Sequence, residues 1–398
     1  MRYQRSVTPV PAVVVGGNLN GLGVVRSLSR GRIPVVVLDT TRQCPAAWSR
    51  YGVFRRASHL EGEMLIDALV RVASDLACRP VLILTSEESV LTVSAFRQRI
   101  EPLYRIDLPP AAMVAALADK TLFHTLAEER GFAVPRSRTV KAASDLDSIG
   151  ELTPPLILKP ADKTLVLAGL AERVVVAATG SQARAAAAQM LTCAPALIVQ
   201  EWVAGPDTEI FFSLFTCDRE ARLIGFFPGR KLVCSPPAVG STALCVAAPE
   251  VAEELQRDTL RFVRSVGYRG LGSLEFKRDG NTGRLLIIEP TVGRTDWQEE
   301  IATLCGVNLP LQTYWTAMGA APPPLGSPDS ASIAWRSSRE FLMPHDLIAS
   351  GARVFDGHFR WRDPLPAAYY YGYERLALRL WRRAARLVRP TSLFARAH

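Results

Sequence analysis

The sequence predicts a chain of mixed class, a small parallel α/β domain followed by an α+β block, and three patterns carry that expectation. Residues 12–40, AVVVGGNLNGLGVVRSLSRGRIPVVVLDT, read as a buried strand, a glycine-rich turn, a helix from about Leu22 to Arg30 and a second strand ending at Asp39, which is a βαβ unit. VLILT at 81–85 follows a helical pattern over 61–77 and adds a further buried strand, so residues 1 to about 110 read as a parallel α/β domain. Beyond Pro109-Pro110 short strands separated by turn residues replace that alternation.

The elements then follow in order. Gly16, Gly17, Gly21 and Gly23 lie at the first strand-to-helix turn but miss the spacing of a dinucleotide-binding fingerprint, and a tight turn requires glycine for its geometry alone. A helical segment spans roughly 111–130 and closes at Gly131. Strands are expected at 156–160, 197–203, 209–216 and 222–227, with a helix over about 249–267 and a hairpin after it. These elements make 111–320 an α+β block. From Ala321 to about Ser332 the composition turns to Pro, Gly, Ser and Ala, a linker before a basic C-terminal segment that ends the chain at 398.

Charge is uneven along the 398 residues, whose net charge is +9. At roughly 100° per residue, Arg375, Arg379, Arg382, Arg383, Arg386 and Arg389 fall on one arc, with Leu376, Leu380, Ala384 and Leu387 opposite. A basic amphipathic helix of this kind docks on its own protein or makes peripheral contact with an anionic membrane. Nucleic acid is not expected as a partner, because no stacking aromatics or recognition motif accompanies the charge. Seven scattered cysteines without a Cys-x-x-Cys pair point to neither a disulfide framework nor a zinc site, and His59, His124, His345 and His358 read as surface or structural. With no signal peptide or membrane-spanning run, a cytoplasmic protein is expected, with the inner membrane surface as its alternative location.

The chemistry concentrates in two late runs, GSLEFKRD and LLIIEPTVGRTDW, which set Glu275 and Glu289 inside apolar strands flanking the turn 279–283. Symmetric pairing about Asn281 puts Glu275 opposite Ile287 and makes Glu289 a diagonal neighbour on the same face. Two like charges so close require a compensating cation, and hard carboxylate oxygens suit Mg²⁺, with Mn²⁺ as the alternative. The plainer reading pairs one acid with a base such as Lys277 or Arg294. Ahead of the hairpin, Lys120 opens a helix in Asp119-Lys120-Thr121, and Lys159 sits in the otherwise apolar strand LILKP, where an unpartnered ammonium is costly. The run 200–207, QEWVAGPD, ends a strand in a Gly-Pro turn.

Taken in order, Lys120, Lys159, QEWVAGPD, GRKL at 229–232, LEFKRD at 274–279 and Glu289 resemble the ATP-grasp superfamily, in particular its predicted carboxylate-amine ligases, over about residues 10–320. The resemblance implies an ATP-grasp fold, in which an N-terminal parallel α/β domain precedes two α+β subdomains, about 111–198 and 199–320, that clasp ATP. Under it, Lys120 and Lys159 match the lysines that touch ATP phosphates. Gln200, Glu201, Trp202 and Val203 match the hinge strand beside adenine, and Asp207, or else Glu209, matches the ribose-binding acid. Glu275 and Glu289 match the metal carboxylates. Arg230 and Lys231 match the basic pair near the transferring phosphoryl group, with Arg294 as a third catalytic candidate.

Two departures stand out. The usual Glu-x-Asn metal pattern is replaced by Glu289-Pro290-Thr291, leaving Thr291, or Asp296 if the loop folds back, to complete the metal site. Between Lys159 and Val174, where a glycine-rich phosphate lid is expected, only Gly169 is available, and Lys163 and Thr164 are the side chains that can meet phosphate. The function implied is an ATP- and Mg²⁺-dependent ligase that joins a carboxylate to an amine through an acylphosphate. A nucleotide-binding or scaffold protein that keeps the clasp without turnover is the alternative. A nicotinamide-dependent oxidoreductase built on the βαβ unit leaves Lys159 and the paired acids unexplained.

Overall fold

Valine-rich strands with no polar alternation build the first domain, because both of their faces are covered. In the computed structural model, which describes residues 9–161, 174–321, 324 and 333–374, β1 (Ala12–Val15), α1 (Leu19–Arg30), β2 (Val35–Asp39), β3 (Gly52–Arg56), α2 (Gly62–Leu76) and β4 (Val81–Leu84) form a parallel sheet of order β3-β2-β1-β4. Helix α1 begins at Leu19, a turn earlier than expected, because the Asn18 side chain caps it by accepting from the Gly21 N–H at 3.2 Å. The glycine turn is structural: Gly17 N–H donates to Asp39 Oδ2 at 2.6 Å, and a Cβ on Gly21 would stand 2.1 Å from the Gly16 carbonyl oxygen. Strand β3 escapes sequence reading because its GVFRR carries exposed arginines at the sheet edge, as edge strands do. Helices α3 (Glu87–Ala95) and α4 (Arg97–Ile100) complete this domain.

The helix expected over 111–130 is two helices, α5 (Ala111–Ala118) and α6 (Lys120–Glu129). They break at Asp119, whose carboxylate accepts from the N–H groups of Thr121 and Leu122 at 2.8 and 2.9 Å, so a charged N-cap starts a second helix and puts Lys120 at its head. An antiparallel sheet of order β5-β8-β6-β7 follows, built from β5 (Ser137–Val140), β6 (Leu156–Pro160), β7 (Val175–Ala177) and β8 (Leu197–Glu201), with α7 (Gly180–Met190) on one face. It has a core of its own around Leu158, Ala183 and Val199.

The largest sheet has order β13-β12-β9-β10-β11-β14-β15. It comprises β9 (Ile210–Cys217), β10 (Leu223–Ser235), β11 (Ser241–Ala247), β12 (Gly270–Arg278) and β13 (Leu285–Val292), with α8 (Ala252–Val266), α9 (Glu300–Leu304) and α10 (Leu309–Ala317) beside it. Strand β10 runs eight residues past the expected end at 227 and so carries the GRKL run. Its core is continuous with that of the first domain: Val13, Leu82 and Val90 share a cluster with Phe211, Phe215 and Leu274.

The segment after the linker is more than a tail. Strand β14 (Ile333–Arg336) pairs antiparallel with β11, and after α11 (His345–Ala349) strand β15 (Arg353–Asp356) pairs parallel with β14. Before α12 (Leu365–Ala368), Asp363 makes a buried 2.9 Å ion pair with Arg26 of α1, which also donates to the carbonyls of Gly357 and His358 at 2.8 and 2.7 Å. Residues 333–363 therefore strap the large sheet to the first domain. The basic helix expected from Arg375 onward and the lid residues Lys163, Thr164 and Gly169 lie outside the described residues. No helix among the described residues is long and apolar enough to cross a membrane.

Candidate functional site

The β12–β13 hairpin sets the centre of the site. Glu275 pairs directly with Glu289, not with Ile287, and the difference from the expected register has two sources. The turn centres half a residue later, closed by Gly283 N–H donating to the Asp279 carbonyl at 2.7 Å, and a bulge beside Glu275 adds Ile288 to one strand. The two carboxylates thus face each other across the ladder. The base that pairs with Glu275 is neither Lys277 nor Arg294. Lys231 Nζ lies 2.5 Å from Glu275 Oε2, and although burial, the largest single influence, pushes the Lys231 ammonium toward the neutral form, Glu275 together with the other groups nearby, Asp296 among them, outweighs it and the net shift is upward.

The loop after β13 does fold back. Asp296 accepts from Thr291 Oγ1 at 3.0 Å and from Ser273 Oγ at 2.9 Å, which fixes its carboxylate beside the hairpin. Arg294 stands 3.8 Å from Asp296 and 3.8 Å from Glu87 at the start of α3, bridging the large sheet to the first domain. A cavity of about 540 Å³ collects Lys120, Lys159, Lys231, Glu275, Glu289, Thr291, Arg294 and Asp296. Its far wall belongs to the first domain and is polar, with Asn18, Asn20, Ser86, Glu87 and Glu88.

Behind the two lysines lies a histidine that sequence reading takes as surface or structural. His124, four positions after Lys120 on α6, is buried and lines a small recess with Lys120, Lys159, Gln200 and Glu289. One ring nitrogen, Nε2, bonds the Gln200 side-chain amide, and Nδ1 lies 3.4 Å from Ser137 Oγ. Burial, and then the charge of Lys159, lowers its pKa to about 4 against an opposing pull from Glu289, so the ring is neutral. The i, i+4 spacing from Lys120 was the available signal, since it puts both on one helix face.

The hinge run edges a narrower slot. Gln200, Glu201, Trp202 and Val203 line a cavity of about 80 Å³ that shares Lys159 and Glu275 with the large one. The Glu201 carboxylate is engaged by Arg136 at 3.0 Å and by the Thr153 N–H at 2.9 Å.

Three expected site residues do not themselves line these cavities. Both Asp207 oxygens are taken by loop backbone, Oδ2 by the Cys234 N–H at 2.8 Å and Oδ1 by the Ala238 N–H at 2.9 Å, so this acid braces the turn between β10 and β11. Glu209 lies 3.9 Å from Arg278. Arg230, on the opposite face of β10 from Lys231, pairs with Glu250 at 2.8 Å and lies over the Phe211 ring, as the two-residue period of a strand requires.

Among the described residues no group of three or more His, Cys, Asp or Glu is gathered to hold an ion by itself. Two opposed carboxylates nevertheless fit Mg²⁺ that arrives with phosphate oxygens, since such sites use one or two carboxylates and fill the remaining octahedral positions from the substrate and water.

No protein-family model and no curated protein matches the sequence. Solved structures do match in fold. An ADP complex of N5-carboxyaminoimidazole ribonucleotide synthetase aligns with TM-score 0.63 at 15% identity, covering 83% of this chain and 81% of that one. N5-carboxyaminoimidazole synthetase from Staphylococcus aureus aligns at 0.62 with 14% identity, covering 81% of each chain. The biotin carboxylase domain of Hydrogenobacter thermophilus 2-oxoglutarate carboxylase, in complex with MgADP, ADP and bicarbonate, aligns at 0.62 with 13% identity over 80% of this chain and 72% of that one. At these identities the likeness establishes a shared architecture.

Proposed function

We propose that this chain, which has the ATP-grasp fold, is an ATP-dependent ligase that uses Mg²⁺ to join a carboxylate to an amine through an acylphosphate. The observation that carries this reading is the convergence of Lys120 and Lys159, from the α6–β6 side, on the opposed pair Glu275 and Glu289 in one cavity. ADP in one structural counterpart, and MgADP with bicarbonate in another, support a nucleotide and a carboxylate-like substrate for this chain.

In this reading the ammonium groups of Lys120 and Lys159 hold phosphate oxygens as point charges, and the strand edge at Gln200–Val203 receives the base. Glu275 and Glu289 would hold Mg²⁺, which when bound supplies neutralisation of the phosphate charge. Lys231 and Arg294, on the cavity wall, orient the substrate carboxylate and balance charge that develops during transfer. A carboxylate oxygen attacks the γ-phosphorus and ADP leaves. The amine nitrogen then attacks the acyl carbon, the acyl–oxygen bond to phosphate breaks, and the nitrogen loses a proton. No covalent protein nucleophile is needed, in keeping with buried cysteines such as Cys217 and Cys234, whose thiols burial pushes well toward the protonated form.

Hydroxylamine trapping tests the reaction. Protein, ATP, Mg²⁺ and pooled carboxylates should yield a hydroxamate and ADP in step. Absence of both with every carboxylate contradicts the ligase, and ATP binding under those conditions points to a nucleotide binder without turnover.

A further inference from the structure

The edge of the first domain where the strap meets it carries one sign of charge. Residues 40–60 contain no Asp or Glu, and the only acid of 357–373, Asp363, is buried in its ion pair with Arg26. Arg42, Arg50, Arg56 and Arg362 are exposed here, and none makes an ion pair among the described residues. Contacts join them into one surface. Arg56 Nε donates to the Thr40 carbonyl at 3.1 Å, Arg42 lies 5.2 Å over the Phe54 ring, and the Arg42 carbonyl accepts from Trp48 Nε1 at 2.9 Å. Trp48 stacks on Tyr369 at 5.2 Å, while the Arg50 backbone N–H donates to Asp363 at 2.9 Å and Arg50 Nη1 to the Arg362 carbonyl at 3.5 Å. None of these residues lines the cavities assigned to the reaction.

Apolar side chains stand out of the same surface. Trp361, beside Arg362, is 88% exposed with its ring edge-on to Phe359 at 5.0 Å, and Leu365 at the start of α12 is 54% exposed. Unpaired cations repel one another and an indole left in water forfeits its apolar burial. An anionic membrane surface reverses both costs, because lipid phosphates meet the arginines and the indole rests at the headgroup boundary. Nucleic acid would answer the arginines but leave Leu365 in water. The sequence beyond Glu374 continues the theme, since residues 375–398 hold seven arginines and no acid.

We propose that this face is a peripheral membrane-binding surface for anionic lipid, in which Arg42, Arg50, Arg56 and Arg362 meet headgroup phosphates and Trp361 enters the interface. A basic segment alone anchors weakly, and the face supplies the second signal that stable binding takes. The inference is independent of the nucleotide reading of the cavity.

Co-sedimentation of the full chain with vesicles of phosphatidylcholine alone, and of phosphatidylcholine and phosphatidylserine in equal parts, tests it. The wild-type protein should pellet with the mixed vesicles and stay in solution with phosphatidylcholine. Arg50→Gln/Arg362→Gln should weaken binding about twentyfold, at roughly fivefold for each arginine near the surface. Trp361→Ala should weaken it by about fivefold or more, and because that side chain is almost wholly exposed its urea transition should match wild type. A wild-type protein that ignores the mixed vesicles, or pellets equally with phosphatidylcholine, overturns the proposal. Wild-type affinity in both variants overturns it too, leaving any attraction to residues 375–398. A duplex oligonucleotide that displaces the vesicles, with an affinity untouched by Trp361→Ala, overturns it in favour of nucleic acid.

Discussion

Glu299 is the most perturbed acid outside the cavity, and its environment explains why. It is fully buried at the start of α9, accepts from Ser27 Oγ at 3.2 Å, and is packed so tightly on α1 that a Cβ on Gly23 would approach its Oε2 to 2.7 Å. Burial, with Glu300 beside it, raises its pKa to about 8. A folded pKa above the unfolded value means that the native state binds the proton more tightly, so stability is greatest at low pH and declines as pH rises from about 4.3 toward 8. Glu299→Gln, neutral throughout, should unfold near the wild-type urea midpoint at pH 5 and at a clearly higher midpoint at pH 8.5. Equal midpoints at both values would show that Glu299 is already ionised in the fold. At this scale, legibility followed local cost. Lys159 stood out because an ammonium in an apolar strand demands a partner, whereas the surroundings of His124 and Asp207 were hidden because their partners, Gln200 and the backbone of Cys234 and Ala238, lie 76, 27 and 31 residues away.

Strand β10 separates two basic neighbours by the two-residue period of a pleated strand. Lys231 faces the cavity and Glu275, while Arg230 faces Glu250 and the Phe211 ring. Lys231→Met should leave Glu275 without its cation and reduce ATP-dependent turnover by about 100-fold or more, the order found for removing a preorganised charge-stabilising group. Arg230→Met removes a partly exposed pair worth less than about 1 kcal/mol and should stay within about threefold of wild type. Comparable losses in both would mean that the pair acts together, as first expected from the sequence. Steady-state ADP release reads the difference. The run GRKL marked the position in the sequence, but which of its two bases faced the site depended on where β10 began and ended, and the apolar pattern suggested an end eight residues early. Hairpin register failed for a related reason: a bulge at Ile288 leaves no signature in a run of alternating and continuous apolar residues.

The whole molecule is held by contacts between segments remote in sequence. Arg26 in α1 meets Asp363 at 2.9 Å and Glu300 at 3.3 Å, and Arg360 meets the same Glu300 at 2.8 Å, so first domain, α9 and the final strap form one buried ion network. Asp363→Ala should cost about 3 kcal/mol in urea unfolding, the usual order for removing one member of a buried pair. A chain ending at Ser332, which lacks β14, β15 and buried Trp335, should lose cooperative unfolding, and a normal unfolding transition would show that the strap is dispensable. The class of the fold was readable from the βαβ pattern and the short strands after it, because those signals are local. The role of residues 333–356 was hidden, since a four-residue strand after a Pro-rich linker carries no mark of a partner some 90 residues earlier. The central claim is that Glu275 and Glu289 grip magnesium-bearing ATP opposite Lys120 and Lys159. Calorimetric ATP binding with and without Mg²⁺, in wild type and in Glu275→Gln/Glu289→Gln, tests it most directly. Mg²⁺ should tighten ATP at least about tenfold in the wild-type protein and leave the double variant unchanged, whereas equal Mg²⁺ dependence in the two proteins would contradict it.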